Sequence, residues 1–183
     1  MTHVSPQDIL DFWFSQRLQP HWFSSTSAID DEIRTRFETT WQAAARGELA
    51  AWSTTPKGAL ALIIVLDQFP LNIYRHQALS FSTEAQARAC TAAAIDAGWD
   101  EGLSDQEKLF LYLPFMHSEA LADQDRSVAL FESMSLERAT QFAHHHRDLI
   151  RRFGRFPHRN AALGRESTQE ELDYLASDEA FRG

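Results

Sequence analysis

Eight consecutive apolar residues, Ala59 to Leu66, stand between Thr55-Pro56 and Phe69-Pro70. A helix that is apolar all round has no face to offer water, so other elements must enclose it. The run is too short for a bilayer, which takes about 20 such residues. It therefore reads as the buried central helix of a globular fold, opened by Pro56 behind a Thr55 cap and ended at Phe69-Pro70.

The remaining segments supply helices to surround it. Ser5 caps a helix with Pro6 at its first position, and Ile9, Leu10, Trp13 and Phe14 share a face. From about Ala28 to Arg46, Ile29, Ile33, Phe37 and Trp41 recur every four residues before Gly47. Residues Thr83 to Ala97 hold seven alanines ahead of Gly98, a composition that lets helices approach closely. Ser104-x-x-Glu107 is a capping box before the apolar stretch Leu109 to Leu113, with Pro114 marking a break or kink. Ser127 to Met134 and Ser135 to Phe153 read as two more helices, the second with Leu136, Ala139, Phe142, Ala143, His146, Leu149, Ile150 and Phe153 on one stripe. Ser167-x-x-Glu170 caps a last one. Period-two alternation is absent, as are a Gly-rich phosphate loop, a G-x-S-x-G elbow and an H-E-x-x-H pair. The pattern predicts an all-α single domain over 1–183 with eight or nine helices, and a core that includes Leu62, Ile63, Leu66, Phe110, Leu113 and Phe142.

Composition excludes several classes. With 44% hydrophobic residues in 183, including thirteen Phe and five Trp, the chain is too apolar for disorder. Its single cysteine, Cys90, rules out an internal disulfide, and Met1 to Pro6 has neither a basic nor an apolar leader region, so a soluble cytoplasmic protein is expected. A net charge of −9 speaks against nucleic acid as a partner, and no segment calls for a membrane. The positive charge is concentrated. Arg147, Arg151, Arg152, Arg155, Arg159 and Arg165 share a window with one acid, Asp148, giving +5 there and −14 elsewhere.

Four ordered segments carry a resemblance. These are Ile9 to Phe14, Leu66-Asp67-Gln68-Phe69-Pro70-Leu71-Asn72-Ile73-Tyr74-Arg75, Leu113-Pro114-Phe115-Met116-His117-Ser118-Glu119 and Phe153-Gly154-Arg155-Phe156-Pro157-His158-Arg159-Asn160. Together they resemble the bacterial domain-of-unknown-function family nine-two-four. The resemblance implies packed helical hairpins of tetratricopeptide-like type and brings no activity with it. The family usually has arginine where Leu71 stands, which removes one anion contact. No clean 34-residue repeat accompanies it.

Polar groups within apolar helices are the candidate site. Asp67, with Gln68 beside it, follows the central apolar run, so its carboxylate is expected to be buried and to need a partner, whether an arginine, a cap or a substrate. His117 and Glu119 follow the Pro114 kink; they act as a base and its orienting carboxylate only if the backbone is irregular there, and otherwise bond a carbonyl and an arginine. His144-His145-His146 spread over three directions in a helix, so no metal is expected, and His146 reads as a core histidine. No cofactor is implied. In the tail motif Gly154 permits a sharp helix end and Pro157 forbids continuation, so Arg152, Arg155, His158, Arg159 and Asn160 leave a rigid scaffold on irregular backbone.

Two functions stand side by side. One is a pocket that binds, or binds and hydrolyses, a small anionic molecule, with Asp67 or His117 as base, Glu119 orienting, and Gln68, Arg152, Arg155, His158, Arg159 and Asn160 binding. The other is a tetratricopeptide-like scaffold without catalysis, in which a groove between helical hairpins holds a peptide or protein. The tail arginines themselves either meet a small anionic molecule or an acidic peptide, or pair internally with Asp67, Glu119 and Asp123. The arginine-rich tail is expected to place Arg152, Arg155 or Arg159 within ion-pairing distance of Asp67 or Glu119. Oligomeric state is not legible. A circular dichroism spectrum dominated by helix is the first expected outcome; a strand-dominated spectrum would overturn the whole reading.

Overall fold

The structure is a computed structural model describing residues 4–181. Among them are eight α-helices and no strand, as the all-α reading requires. The helices are α1 (Pro6–Trp13), α2 (Ser27–Ala45), α3 (Pro56–Ile73), α4 (Glu84–Asp96), α5 (Asp105–Met116), α6 (Leu121–Glu132), α7 (Glu137–Phe153) and α8 (Gln169–Ala176). They form two compact units. The first holds the chain up to Arg75 together with Leu79–Pro114, and the second holds His76–Ala78 with the chain from Phe115 on. The leader-region expectation for Met1 to His3 lies outside the described residues. No helix among the described residues is long and apolar enough to cross a membrane.

In the first unit α3 is the centre, with α1, α2 and α4 packed against it. Every residue of α3 from Gly58 to Pro70 is buried, including Leu62, Ile63 and Leu66. Thr55 caps its start by accepting from the Gly58 N–H. Gly58 has to be glycine: a Cβ there would stand 2.1 Å from the Trp52 carbonyl oxygen. Aromatic rings fill the space beside the helix, with Trp13 5.8 Å from Phe69 and 5.3 Å from Phe110, and Phe37 stacked 5.0 Å from Phe69.

Pro70 was expected to end its helix and Pro114 to break or kink its own; neither helix ends there. α3 continues to Ile73 past Pro70, and α5 continues to Met116 past Pro114. Proline lacks the N–H that would bond the carbonyl four residues back, so Pro70 leaves the Leu66 oxygen without its helical donor. The buried Thr83 hydroxyl donates to that oxygen at 2.5 Å and accepts from Trp41 Nε1 at 3.2 Å. Near the second proline, the buried Thr91 hydroxyl donates to the Leu111 carbonyl at 2.9 Å. Thr83, the N-cap of α4, thus supplies the hydroxyl that takes up the carbonyl freed by Pro70, and Thr91, further along α4, ties that helix to α5.

In the second unit α6 packs against α7. α6 begins at Leu121, six residues ahead of the sequence expectation. Leu149, Ile150, Phe156 and Tyr174 form a core joined by Phe153, Leu175, Ala180 and Phe181. Phe142 is not core: it is 39% exposed, with Arg138 over its ring. The buried face of α7 runs through Ala143, His146, Leu149 and Ile150, and Phe142 stands one helical step off it. Gly154 ends α7 at φ +70°, where its N–H reaches the Ile150 carbonyl. The last cap falls one residue later than read: Thr168 and Glu171, not Ser167 and Glu170, form the reciprocal pair.

Thr83→Val keeps the shape of the side chain while leaving the Leu66 carbonyl and the Trp41 N–H without partners. It should lower unfolding stability by about 2–4 kcal/mol in urea titration. A loss under half a kcal/mol would show that α3 tolerates Pro70 unaided.

Candidate functional site

The chemistry-bearing residues of the second unit lie on two irregular segments, the turn from His117 to Ala120 and the stretch from Gly154 to Thr168. Irregular backbone inside a protein must find side-chain partners, and carboxylates and amides supply them here. Glu119 Oε1 accepts from the Phe156 N–H at 2.8 Å, and both its oxygens are held by the Arg165 fork at 2.7 and 2.9 Å. Burial pushes its carboxyl up, but the Arg165 bonds and the Phe156 N–H outweigh this, leaving it below the ordinary range. Arg165 extends to Asn160 Oδ1 at 2.9 Å and to the Phe156 carbonyl at 3.2 Å.

A second carboxylate does the same work at the start of α8. Glu171, 2% exposed, receives Arg155 Nε and Nη2 at 2.7 and 2.8 Å, the Thr168 N–H at 2.8 Å and Asn160 Nδ2 at 3.2 Å. The Arg155 guanidinium above all holds its carboxyl down to about 2. Arg152 reaches the exposed Glu170 at 2.8 Å. Arg152 and Arg155 therefore pair with α8, where the sequence reading looked to Asp67, Glu119 and Asp123 for their acids. Glu119 takes Arg165 instead. Asp123 accepts from the Ser118 hydroxyl at 2.6 Å.

The turn after α5 is fixed through successive carbonyls. Gln124 Nε2 donates to the Met116 and Ser118 oxygens, each at 2.7 Å, and Arg159 Nη2 donates to the His117 oxygen at 2.9 Å. Arg159 is 6% exposed and lies over the Phe156 ring. Three imidazoles gather near it. Burial first and Arg159 second push His158 down to about 3, with smaller contributions from His117 and Arg165; Glu119 works the other way. Burial also takes His146 to about 3, with His117, His145 and His158 adding to the shift. His146 Nδ1 lies 2.8 Å from the Phe142 carbonyl, so the neutral ring donates there.

His117, Glu119, Arg155, His158, Arg159 and Asn160 are thus brought together in the second unit, while Arg152 lies on its solvent side. Asp67 and Gln68 belong to the first unit. Both are buried in α3, where Gln68 Nε2 donates to Asp67 Oδ2 at 2.6 Å and the Gln68 carbonyl accepts from Asn72 Nδ2. The histidine run diverges as helical geometry demands: His144 faces Glu132, His145 approaches the Tyr174 hydroxyl, and His146 turns inward. Among the described residues no group of three or more His, Cys, Asp or Glu side chains is placed to hold a metal ion. The residues missed from sequence were Arg165 and Glu171. A capping-box search allowing Thr168 as well as Ser167 would have found the second.

These features define an all-α protein whose second unit is organised around internal arginine–carboxylate forks and neutral imidazoles. The chain belongs to the bacterial family of proteins of unknown function DUF924, whose model matches residues 9–179. It is also similar to the solved structure of a protein of unknown function, ATU0120, from Agrobacterium tumefaciens. The two are 40% identical, with 93% of this chain and 96% of that one covered, at a TM-score of 0.89. No curated protein matches the chain.

Acid should expose the two imidazoles. His146 and His158 titrate near 3 when folded and near 6.5 when unfolded, so the unfolded chain binds more protons as pH falls between those values. Their contribution to stability is complete above pH 6.5 and is lost on the way down, and Glu171 adds a further loss below its unfolded value of 4.5. The urea midpoint should drop between pH 7 and pH 5, and less steeply in His158→Gln. Equal slopes in both proteins would remove His158 from the account. Glu171→Gln should cost about 2–4 kcal/mol at pH 7, tempered by the partial exposure of Arg155.

Proposed function

We propose that the second unit binds a small anionic molecule at His117, His158 and Arg159. The observation that carries this reading is His158, whose Nδ1 is buried and meets no hydrogen-bond partner. A buried imidazole nitrogen without a partner is a polar valence that a guest can fill. Arg159 beside it makes the surroundings positive, which favours an oxyanion, and a neutral imidazole offers either an N–H to that oxyanion or a lone pair to its hydroxyl. Phosphorylated or carboxylated metabolites have this chemistry.

The other arginines take a different part in this reading. Arg152, Arg155 and Arg165 each meet a carboxylate and shape the loop that presents His158. Glu119, with Arg165 and the Phe156 N–H on its oxygens, positions the two segments. Hydrolysis or proton transfer at this site would fall to His117 as base. A cytoplasmic setting agrees with Cys90, half-buried and with its thiol pushed up by burial, hence poorly reactive.

The second reading is a tetratricopeptide-like scaffold with no catalysis. It is favoured by helix-on-helix packing of α2 with α3 and α6 with α7, and by the internal use of three arginines. A thermal-shift screen of phosphorylated and carboxylated metabolites separates the two. A true ligand at 100 times its Kd should raise the melting temperature by about 5–10 °C, and the rise should vanish in His158→Ala measured against its own unliganded baseline. A screen without any shift, alongside capture of acidic peptides by the intact protein, would favour the scaffold.

A further inference from the structure

The segment after α8, Ser177 to Phe181, has no regular secondary structure, yet it is docked on the second unit's core. Its attachment is specific. The Phe181 N–H donates to the Tyr174 hydroxyl at 2.8 Å, and that hydroxyl also approaches the Glu179 carbonyl and His145 Nε2. The Phe181 ring stands edge-on to two imidazoles at once, 4.6 Å from His146 and 5.0 Å from His158. Phe156 closes the same cluster from the other side, 5.4 Å from His146 and 5.6 Å from His158. A groove of about 400 Å³, lined among others by Phe142, His145, Glu179 and Phe181, runs alongside the segment.

We propose that Asp178 to Phe181 is a proton-operated latch, seated while His146 and His158 are neutral and released when either takes up a proton. The physical reason is the surroundings of the pair. His146 already donates Nδ1 to the Phe142 carbonyl and is only 5% exposed between the Phe156 and Phe181 rings, so a proton on Nε2 places a charge on a largely desolvated ring. The charged and titratable groups facing the two rings are His117 from the turn after α5, His145 from α7, Arg159 and Arg165 from the tail stretch, and Glu119. Glu119 is already committed to the Arg165 fork, and the neighbouring His117, the other imidazoles and Arg159 each disfavour a new charge on these rings. Moving Phe181 aside admits water to the charged ring, and the groove widens as it leaves. Because seating and protonation are linked, each must oppose the other by the same factor. The latch does not depend on the ligand-binding reading above.

Histidine ring titration by NMR tests it. In the intact protein both imidazoles should stay neutral at pH 5. In Phe181→Ala, water should reach them and at least one titration midpoint should rise by a pH unit or more, a tenfold change in proton affinity. Phe181→Leu, which keeps an apolar cover, should restore the low midpoints and guards against simple misfolding of the alanine variant. The Phe181 amide signal should also move on acidification of the intact protein and stay in place when His146 and His158 are both replaced by Gln. Identical histidine titrations with and without the Phe181 ring would overturn the latch, as would an amide that ignores the histidine replacements.

Discussion

Where a helical ladder stops inside a protein, the N–H and C=O groups it leaves behind need other partners, and much of this molecule is arranged around that need. The Leu66 carbonyl, deprived of its donor by Pro70, is served by Thr83. Gln124 and Arg159 serve the Met116, His117 and Ser118 carbonyls. The N–H groups of Phe156 and Thr168 go to Glu119 and Glu171. Each of these side chains comes from a different element than the group it satisfies, except Glu171, which serves its own helix cap. Irregular backbone thereby becomes a set of cross-links, and the loops gain fixed positions.

The same requirement decides what the arginines do. A carboxylate that satisfies a buried backbone N–H must stay ionised, and a guanidinium fork is the most geometrically suited way to keep it so. Glu119 with Arg165 and Glu171 with Arg155 follow this logic, and Asn160 joins the two by bonding both Arg165 and Glu171. The concentration of positive charge between Arg147 and Arg165 is therefore largely an answer to acids within the second unit. What it does not account for is His158, which sits within this frame with an unfilled nitrogen.

The fold was legible because its cause is local and repetitive: the apolar run from Ala59 to Leu66 and the four-residue spacing of Ile29, Ile33, Phe37 and Trp41 read directly as helices. Pro70 misled because the hydroxyl that accommodates it, that of Thr83, is distant in sequence and looks like that of an ordinary helix-start residue. Phe142 misled for a different reason, since on a helix as polar as α7 the buried face is set by Ala143 and His146 as much as by large apolar residues. At the site, the residue types were legible and the pairings were not. Arg155 could have answered any of several acids, and the choice of Glu171 depends on where the last helix begins, a boundary shifted by a single residue between Ser167 and Thr168.

That one-residue shift carries a consequence for the chemistry. With Thr168 as cap, Glu171 turns inward and 2% of it is exposed, while Glu170 points to solvent and meets only Arg152. Had Ser167 been the cap, the two glutamates would exchange faces, and Arg155 would lose its buried partner. The segment from Gly154 would then present Arg155 as a free cation beside His158 instead of a fixed strut. The separation between arginines that build the loop and imidazoles left open within it thus rests on the register of a short C-terminal helix. Because Tyr174 on that same helix holds Phe181 against His146 and His158, the register also sets how closely the imidazole pair is covered. Framework and cover are two outcomes of one local choice of helix cap.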